Sequence, residues 1–501
     1  MKEIFMELKG IKKSFGGVYA LNGVNMTVKK GEVHCLAGEN GSGKSTIIKV
    51  ISGVYTADEG EVYIDGKRMQ NFDPIDAINQ GVQVIYQDFA VFPNLTVAEN
   101  IAINHNIECG NKLMNWSESR KIATYAMKQI GANMNLDLPV EQLSVANKQM
   151  VAICRAILGD AKLLILDEPT TALTEKEVEK LFNIIKNLKE KGIAIIIVTH
   201  KLEEVYGIAD KLTIIRNGKN VASGDIKDFD KPTFVKYMTG REIQNINYRP
   251  TEIGNEILKL EHFSRKGVFN DINFSIRKGE VLGITGLLGS GSGEIGDSLF
   301  GILPADSGKI YLNGKETHIK NVGDAVKNRI AYVPEDRLTQ GLFLERSIAD
   351  NIIAASIIDY FTKGILQCKE MVQSAENWIK DINVVAPSSE PPIKTLSGGN
   401  QQKVVIAKWL NTHPELLILN GPTVGVDIGA KADIHTILHH LAETGVGIII
   451  ISDDLSELVQ NCNRIIVIAN GSIKANVNSS DINESELTKL MNGKAELEVE
   501  I

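Results

Sequence analysis

The chain repeats itself, and the repeat constrains its fold more than any other feature. "KKGEVHCLAGENGSGKST" starts at Lys29 and "RKGEVLGITGLLGSGSGE" at Arg277, which pairs Gly38 with Gly286, 248 residues on. "LSVANKQ" at Leu143 returns as "LSGGNQQ" at Leu396, and "LLILDEPT" at Leu163 as "LLILNGPT" at Leu416, each 253 residues on. Three landmarks in one order at nearly one spacing mean that a whole domain was duplicated, not a small solenoid unit. A chain of 501 residues has room for two such domains, each with its own core. The expected division is residues 1–240, a linker over 241–255, and residues 256–501. The linker stretch "GREIQNINYRPTEIGN" is polar and carries Pro250 and Gly254, and "EILKLEHF" at Glu256 restarts the pattern of "IFMELKGI".

Within each repeat, short β-branched runs alternate with amphipathic helices, which predicts an α/β fold. Thr174 with Glu177 three residues later forms a capping box, and Val178, Leu181, Phe182, Ile185 and Leu188 give the helix one apolar face. Gly192 ends it and Ile193–Val198 reads as a buried strand. The apolar runs fall far short of the roughly 20 residues of a membrane span, and the N-terminus lacks the apolar core of a signal peptide. The 43% apolar and 23% charged composition is that of a soluble globular protein. A net charge of −8 weighs against a nucleic-acid partner. Five scattered cysteines fit neither a disulfide framework nor a zinc site.

Gly38, Glu39, Asn40, Gly41, Ser42, Gly43, Lys44 and Ser45 match G-x-x-x-x-G-K-[ST] between a strand and a helix that opens with Ser45 and Thr46. The glycines let backbone N–H groups turn inward on phosphate, Lys44 neutralises the β- and γ-phosphates, and Ser45 suits Mg²⁺. "LLILDE" is a buried strand ending in two acids. Asp167 suits the Mg²⁺ shell and Glu168 the role of general base toward water. The implied substrate is ATP with Mg²⁺.

These stretches resemble the Walker A and Walker B motifs, and "LSGGNQQ" is similar to the signature motif of ATP-binding-cassette proteins. The resemblance covers nearly the whole chain and implies two fused cassettes, each a mixed sheet core with a helical subdomain. It further implies roles for Gln87 in "VIYQD" (Mg²⁺ and partner sensing), His200 in "IIIVTH" (γ-phosphate contact) and Phe15 in "KKSFGG" (adenine stacking). Ser397, Gly398, Gly399 and Asn400 would form the working signature. In the second repeat Ser292 and Gly293 replace Lys44 and Ser45, Asn420 and Gly421 replace Asp167 and Glu168, Asp453 replaces His200, and Glu335 replaces Gln87. The first repeat instead loses its signature glycines to Val145 and Ala146. Because cassettes of this family pair head to tail, one complete composite site and one defective one are expected.

"FPNLTVAENI", "TALTEKEVEKLF", "EDRLTQGLFLERSIADNI" and "PTVGVDIGAK" resemble the tandem ATPases of bacterial monosaccharide importers, the ribose/galactose/xylose type of the carbohydrate uptake transporter-2 family. That resemblance implies a peripheral protein on the cytoplasmic face of the membrane. It would dock on permease subunits through the Gln87 region and the helical segment after Phe89, fed by an extracellular or periplasmic solute-binding protein. Nucleosides or a signalling molecule are the competing cargo. A twin-cassette translation factor would carry a long charged linker and two intact sites, and a DNA-repair cassette protein a coiled-coil or zinc insertion. A regulator that binds without turnover would not need Glu168 and His200.

Overall fold

Runs of Ile, Val, Leu and Ala with no polar interruption can only be central strands, buried on both faces. Ala194–Val198, Val33–Ala37 and Gly447–Ile451 are buried at every position. The computed structural model describes residues 3–493 apart from 87, 109–113, 171–172, 200, 243–247 and 249–252. The chain divides into two compact units, Met1–Ile243 and Gln244–Ile501.

In the first unit a six-stranded sheet has the order Lys219–Asp225, Lys211–Arg216, Val33–Ala37, Ala194–Val198, Leu163–Asp167, Val82–Ile85. All neighbours are parallel except the antiparallel edge pair Lys219–Asp225 and Lys211–Arg216. An antiparallel sheet ordered Val18–Lys29, Ile4–Phe15, Glu59–Ile64, Lys67–Met69 covers one side. Helices Val97–Glu108, Trp116–Ile130 and Val145–Leu158 form the helical subdomain. The second unit repeats this order with Ile330–Val333, Leu416–Asn420, Gly447–Ile451, Val281–Gly286, Arg464–Ala469 and Ser472–Asn478. It adds a small hairpin, Phe361–Thr362 with Ile365–Leu366. The mixed sheet with a helical subdomain is therefore present in both halves.

Local signals hold where they are strongest. The Glu175–Glu190 helix starts at Thr174, whose N–H and hydroxyl both donate to the Glu177 carboxylate at 3.0 and 2.9 Å. Gly192 at φ +87° lets the chain turn out of the helix into the next strand. The helical segment expected after Phe89 is the helix Val97–Glu108. Phe89 and Ala90 take φ of +51° and +45°, a turn that interrupts any helix there. In the linker stretch, Tyr248 is packed onto the second unit. Its ring stacks on His439 with centroids 3.7 Å apart, its N–H donates to the Gln460 carbonyl at 3.0 Å and its hydroxyl to the His439 carbonyl at 3.0 Å. Gly254 donates its N–H to the Lys278 carbonyl at 2.8 Å, and Pro250 lies outside the described residues.

The duplication extends to a buried amide. Asn100 accepts from the Phe92 N–H at 2.8 Å and donates to the Phe92, Leu95 and Thr96 carbonyls at 2.9, 3.1 and 3.1 Å. Asn351 does the same for Phe343 and Ser347. Asn100→Ala would strand several buried backbone groups, so the first unit should lose roughly 3 kcal/mol. A urea titration that leaves its midpoint unchanged would rule out this role. Among the described residues no helix is long and apolar enough to cross a membrane.

Candidate functional site

The sheet order assembles the site. Loops leaving the C-terminal ends of parallel strands share one edge of the sheet, where α/β folds bind ligands. Val33–Ala37 leads into the Gly38 loop, its neighbour Ala194–Val198 leads toward 200, and Leu163–Asp167 leads into Glu168. Val82–Ile85, next along, leads toward 87. His200 and Gln87 themselves lie outside the described residues.

Two glycines of the loop have no alternative. A Cβ on Gly38 would lie 2.3 Å from the Ile215 carbonyl oxygen and 2.5 Å from Ser42 Oγ. On Gly43, at φ +110°, it would lie 2.7 Å from the Ala20 carbonyl oxygen. The Lys44 side chain folds back into this turn, and its Nζ donates to the Gly38 and Glu39 carbonyls at 2.7 and 2.9 Å. Helix Lys44–Ile51 starts here with no side-chain cap and no acid in its first turn, which leaves its N-terminal N–H groups for an anion. Ser42 Oγ is buried without a partner among the described residues, an orphan that a bound phosphate would satisfy. Asn40, Gly41 and Ser45 are exposed, and Thr46 is half-buried. Phe15 is exposed, in a T-shaped contact with Tyr55 at a centroid distance of 5.2 Å and with Lys13 Nζ over its ring 5.7 Å from the centroid.

Glu168 stands at φ +46°, a conformation that costs a non-glycine residue about 1 kcal/mol. Its N–H donates to the Val198 carbonyl at 2.9 Å, which fixes the acidic turn against the strand that leads to His200. Burial raises the Asp167 pKa, and the adjacent Glu168 carboxylate raises it further, while Lys44 and Lys49 act the other way. Lys44, Asp167 and Glu168 thus share one electrostatic neighbourhood. Two adjacent acids crowded in this way, with the Ser45 hydroxyl exposed beside the loop, form a donor set that fits Mg²⁺, which takes few protein ligands and completes its shell with water and substrate phosphate. Among the described residues no cluster of three His, Cys, Asp or Glu could hold a metal by itself.

The structure adds a clamp that sequence reasoning passed over. Buried Glu204 accepts from the hydroxyls of Thr170, just past the acidic turn, and of Thr199 (2.7 Å for Thr199), just before position 200. Its counterpart Glu457 accepts from Ser452 at 2.7 Å. The 253-residue offset was the available signal, since it aligns Glu204 with Glu457.

In the second unit the loop keeps its shape without its chemistry. A Cβ on Gly286 would lie 2.5 Å from the Ile468 carbonyl oxygen, and Gly291 stands at φ +95°. Asn420, in place of Asp167, donates its amide to the Tyr332 hydroxyl at 3.3 Å, and that hydroxyl donates to Asp297 at 2.7 Å. Burial raises the Asp297 pKa. Glu294 puts a negative charge in the first turn of helix Ser292–Leu299. Gly421 keeps the left-handed turn, at φ +57°, that Glu168 holds under strain.

The signature segments each open a helix. Ser144 caps Val145–Leu158 by accepting from the Asn147 N–H at 3.3 Å. Ser397 precedes Gly398–Leu410 and is exposed. Gly398 and Gly399 are also required by packing inside their own unit, because a Cβ on Gly399 would lie 2.3 Å from Ala430 Cβ and one on Gly398 2.8 Å from Arg337 Nη2. Asn400 is committed to the loop itself: its Oδ1 accepts from the Val385 N–H and its Nδ2 donates to Ser397 Oγ, both at 2.9 Å. It shapes the signature, whereas Ser397 remains exposed.

The ABC transporter family model matches residues 21–171 and again residues 269–424. The chain belongs to the ABC transporter family. As a member with two cassettes it binds ATP and is an ATPase. The ribose import ATP-binding protein of Geobacillus kaustophilus strain HTA426 is 38% identical over 490 residues, which cover 97% of this chain and 99% of that protein. That of Bacillus subtilis strain 168 is 37% identical over 489 residues, covering 97% and 99%. In this ABC ATPase the matched segments include the Gly38 loop, Asp167 and Glu168, and their altered counterparts from Gly286 to Gly421.

Proposed function

We propose that this ABC ATPase energises import of a monosaccharide through membrane permease subunits, and that it hydrolyses ATP at one composite site. The single observation that carries the one-site reading is the contrast at the two acidic turns. Glu168 is kept at φ +46° against its own conformational preference, whereas the equivalent turn has become Gly421 beside an Asn420 locked to Tyr332. The monosaccharide reading is supported by the names of the relatives, which match along their whole length.

In this reading residues 1–240 bind the nucleotide and residues 256–501 supply Ser397, Gly398, Gly399 and Asn400 to complete the site. The Gly38–Thr46 loop wraps the phosphates with backbone N–H groups, Lys44 offsets their charge, and Phe15 stacks on the base. Glu168 accepts the proton of the attacking water. His200 and Gln87 complete the pocket around the terminal phosphate. Mg²⁺, held by Ser45, Asp167 and Gln87, would supply charge neutralisation between the phosphates. The chain would sit at the cytoplasmic face of the membrane, peripheral to permease subunits that receive cargo from an extracellular or periplasmic solute-binding protein.

Equilibrium dialysis of the Glu168→Gln chain with ATP and Mg²⁺ should give one ATP per chain, and none when Lys44→Ala is added. Two ATP per chain, one of them surviving Lys44→Ala, would make the Gly286 loop a second nucleotide site. Co-purification with a permease that takes up a labelled monosaccharide tests the cargo, and uptake of a nucleoside instead would redirect it.

A further inference from the structure

Two ties join the acidic turn of the first unit to the end of the neighbouring strand. The Glu168 N–H donates to the Val198 carbonyl at 2.9 Å. One step further out, the Glu204 carboxylate bridges the same two segments. Its Oε1 accepts from the Thr170 hydroxyl and its Oε2 from the Thr199 hydroxyl, the latter at 2.7 Å. All three side chains are buried. The Thr199 oxygen in turn accepts from the Lys201 N–H at 3.0 Å. Lys201 Nζ lies 3.5 Å from Glu204 Oε1 and donates to the Thr170 carbonyl at 3.3 Å. A buried carboxylate bonded on both oxygens and faced by a lysine is a stiff bridge, because breaking either bond leaves a desolvated charge short of a partner.

The bridge holds a strained turn. A left-handed conformation at a residue with a side chain persists only where its surroundings over-determine it. Glu168 takes φ +46° two residues before Thr170, with the backbone tie on one side and the bridge on the other. In the second unit the equivalent turn has no such strain to hold. Gly421 takes φ +57° and keeps the backbone tie, donating to the Ile451 carbonyl at 2.8 Å. The bridge has changed there too, since Asp454 stands at the place of Lys201. Burial pushes the Glu457 carboxyl up to about 7, and Asp454 pushes the same way against Ser452, Lys431 and Thr423. Glu457 Oε1 faces His435 Nε2 at 3.4 Å. The lysine-backed bridge accompanies the turn that bears an acid and is altered beside the one that has become glycine.

We infer that Glu204 is a positioning residue for ATP hydrolysis. By tying Thr170 to Thr199 it holds the Glu168 carboxylate in the place from which it reaches the attacking water, and it acts only through Glu168. The inference rests on the reading of Glu168 as general base.

The test is steady-state hydrolysis of ATP, with Mg²⁺, by the full-length chain. Glu204→Ala should lower kcat by about tenfold to a hundredfold, the cost of displacing a reacting group by up to about 1 Å. The KM for ATP should stay within about twofold, because the Gly38–Thr46 loop is untouched. Thr170→Val should act like Glu204→Ala, whereas Thr170→Ser keeps the hydroxyl and should hold kcat within about threefold of the parent. In the Glu168→Gln background, Glu204→Ala should lower the residual rate by less than about twofold, since the group it positions can no longer take the proton. Glu457→Gln, at the matching place in the second unit, should leave kcat within about twofold of the parent. The inference is overturned by parental kcat in Glu204→Ala, by a rise in KM alone, by a loss that adds in full to that of Glu168→Gln, or by a Glu457→Gln chain as slow as Glu204→Gln. If Glu204→Ala does not fold, Thr170 decides: equal rates for valine and serine overturn the inference, and a fall confined to valine supports it. Hydrolysis that survives Glu168→Gln refutes the general-base premise instead, whatever the Glu204 variants do.

Discussion

Glu168→Gln should lower the rate of ATP hydrolysis about a thousandfold and leave ATP binding intact. A general base contributes on the order of 10²–10⁴-fold, and glutamine keeps the size and hydrogen-bonding shape of the side chain but cannot accept the proton. The backbone gives this prediction a second arm. Glu168 holds a left-handed turn at φ +46°, where its counterpart is Gly421 at φ +57°. Glu168→Gly should therefore be as inactive as Glu168→Gln yet more stable than the parent by about 1 kcal/mol, the cost of that turn for a side-chain-bearing residue. Phosphate release and thermal unfolding, measured side by side, read both effects. Hydrolysis that survives Glu168→Gln within tenfold would remove Glu168 from the base role.

Lys44→Ala should abolish useful nucleotide binding. The ammonium is buried and crosses its own loop to the Gly38 and Glu39 carbonyls, so the substitution removes both the charge that meets the phosphates and the tie that shapes the turn. Truncating one partner of a desolvated charge pair costs about 2–5 kcal/mol, so the affinity for ATP should fall by about a hundredfold or more. A parent chain that gains thermal stability in ATP and a variant that gains none would be the direct sign. Lys44→Arg is no remedy, since the planar fork cannot follow the ammonium's path between two adjacent carbonyls. An unchanged ATP affinity in Lys44→Ala would mean that the nucleotide sits elsewhere.

Much of this protein was determined by local sequence. The duplication was legible because two copies of one fold need the same strands, turns and caps, so "LLIL" and its twin recur at a fixed spacing. The phosphate loop was legible because its chemistry leaves little choice: only glycine fits beside the Ile215 and Ala20 carbonyls, and only lysine carries a flexible point charge back over the turn. The Glu175–Glu190 helix was legible because its cap and its apolar stripe are near in sequence.

Other features depend on residues that the sequence separates. The sequence places a helix after Phe89 without fixing its start; the positive φ of Phe89 and Ala90 makes a turn first, and the helix opens at Val97, where the Thr96 N–H and hydroxyl donate to Glu99. The Glu204 clamp joins residues 170, 199 and 204, and nothing in a surface-looking "LEEV" marks a glutamate that will be buried between two hydroxyls. Asn420 reads as a lost acid, and the sheet alone decides that it meets Tyr332 and, through it, Asp297. Arg337 reads as one more charge in "EDR", and tertiary packing sets its guanidinium against Gly398 and onto the Val424 and Gly425 carbonyls. Sequence by itself determined which residues could do chemistry, because side-chain identity and short-range backbone geometry are local. Which of them face one another was decided by the order of strands in the sheet, since pairing across distant segments is fixed by the burial of the whole core.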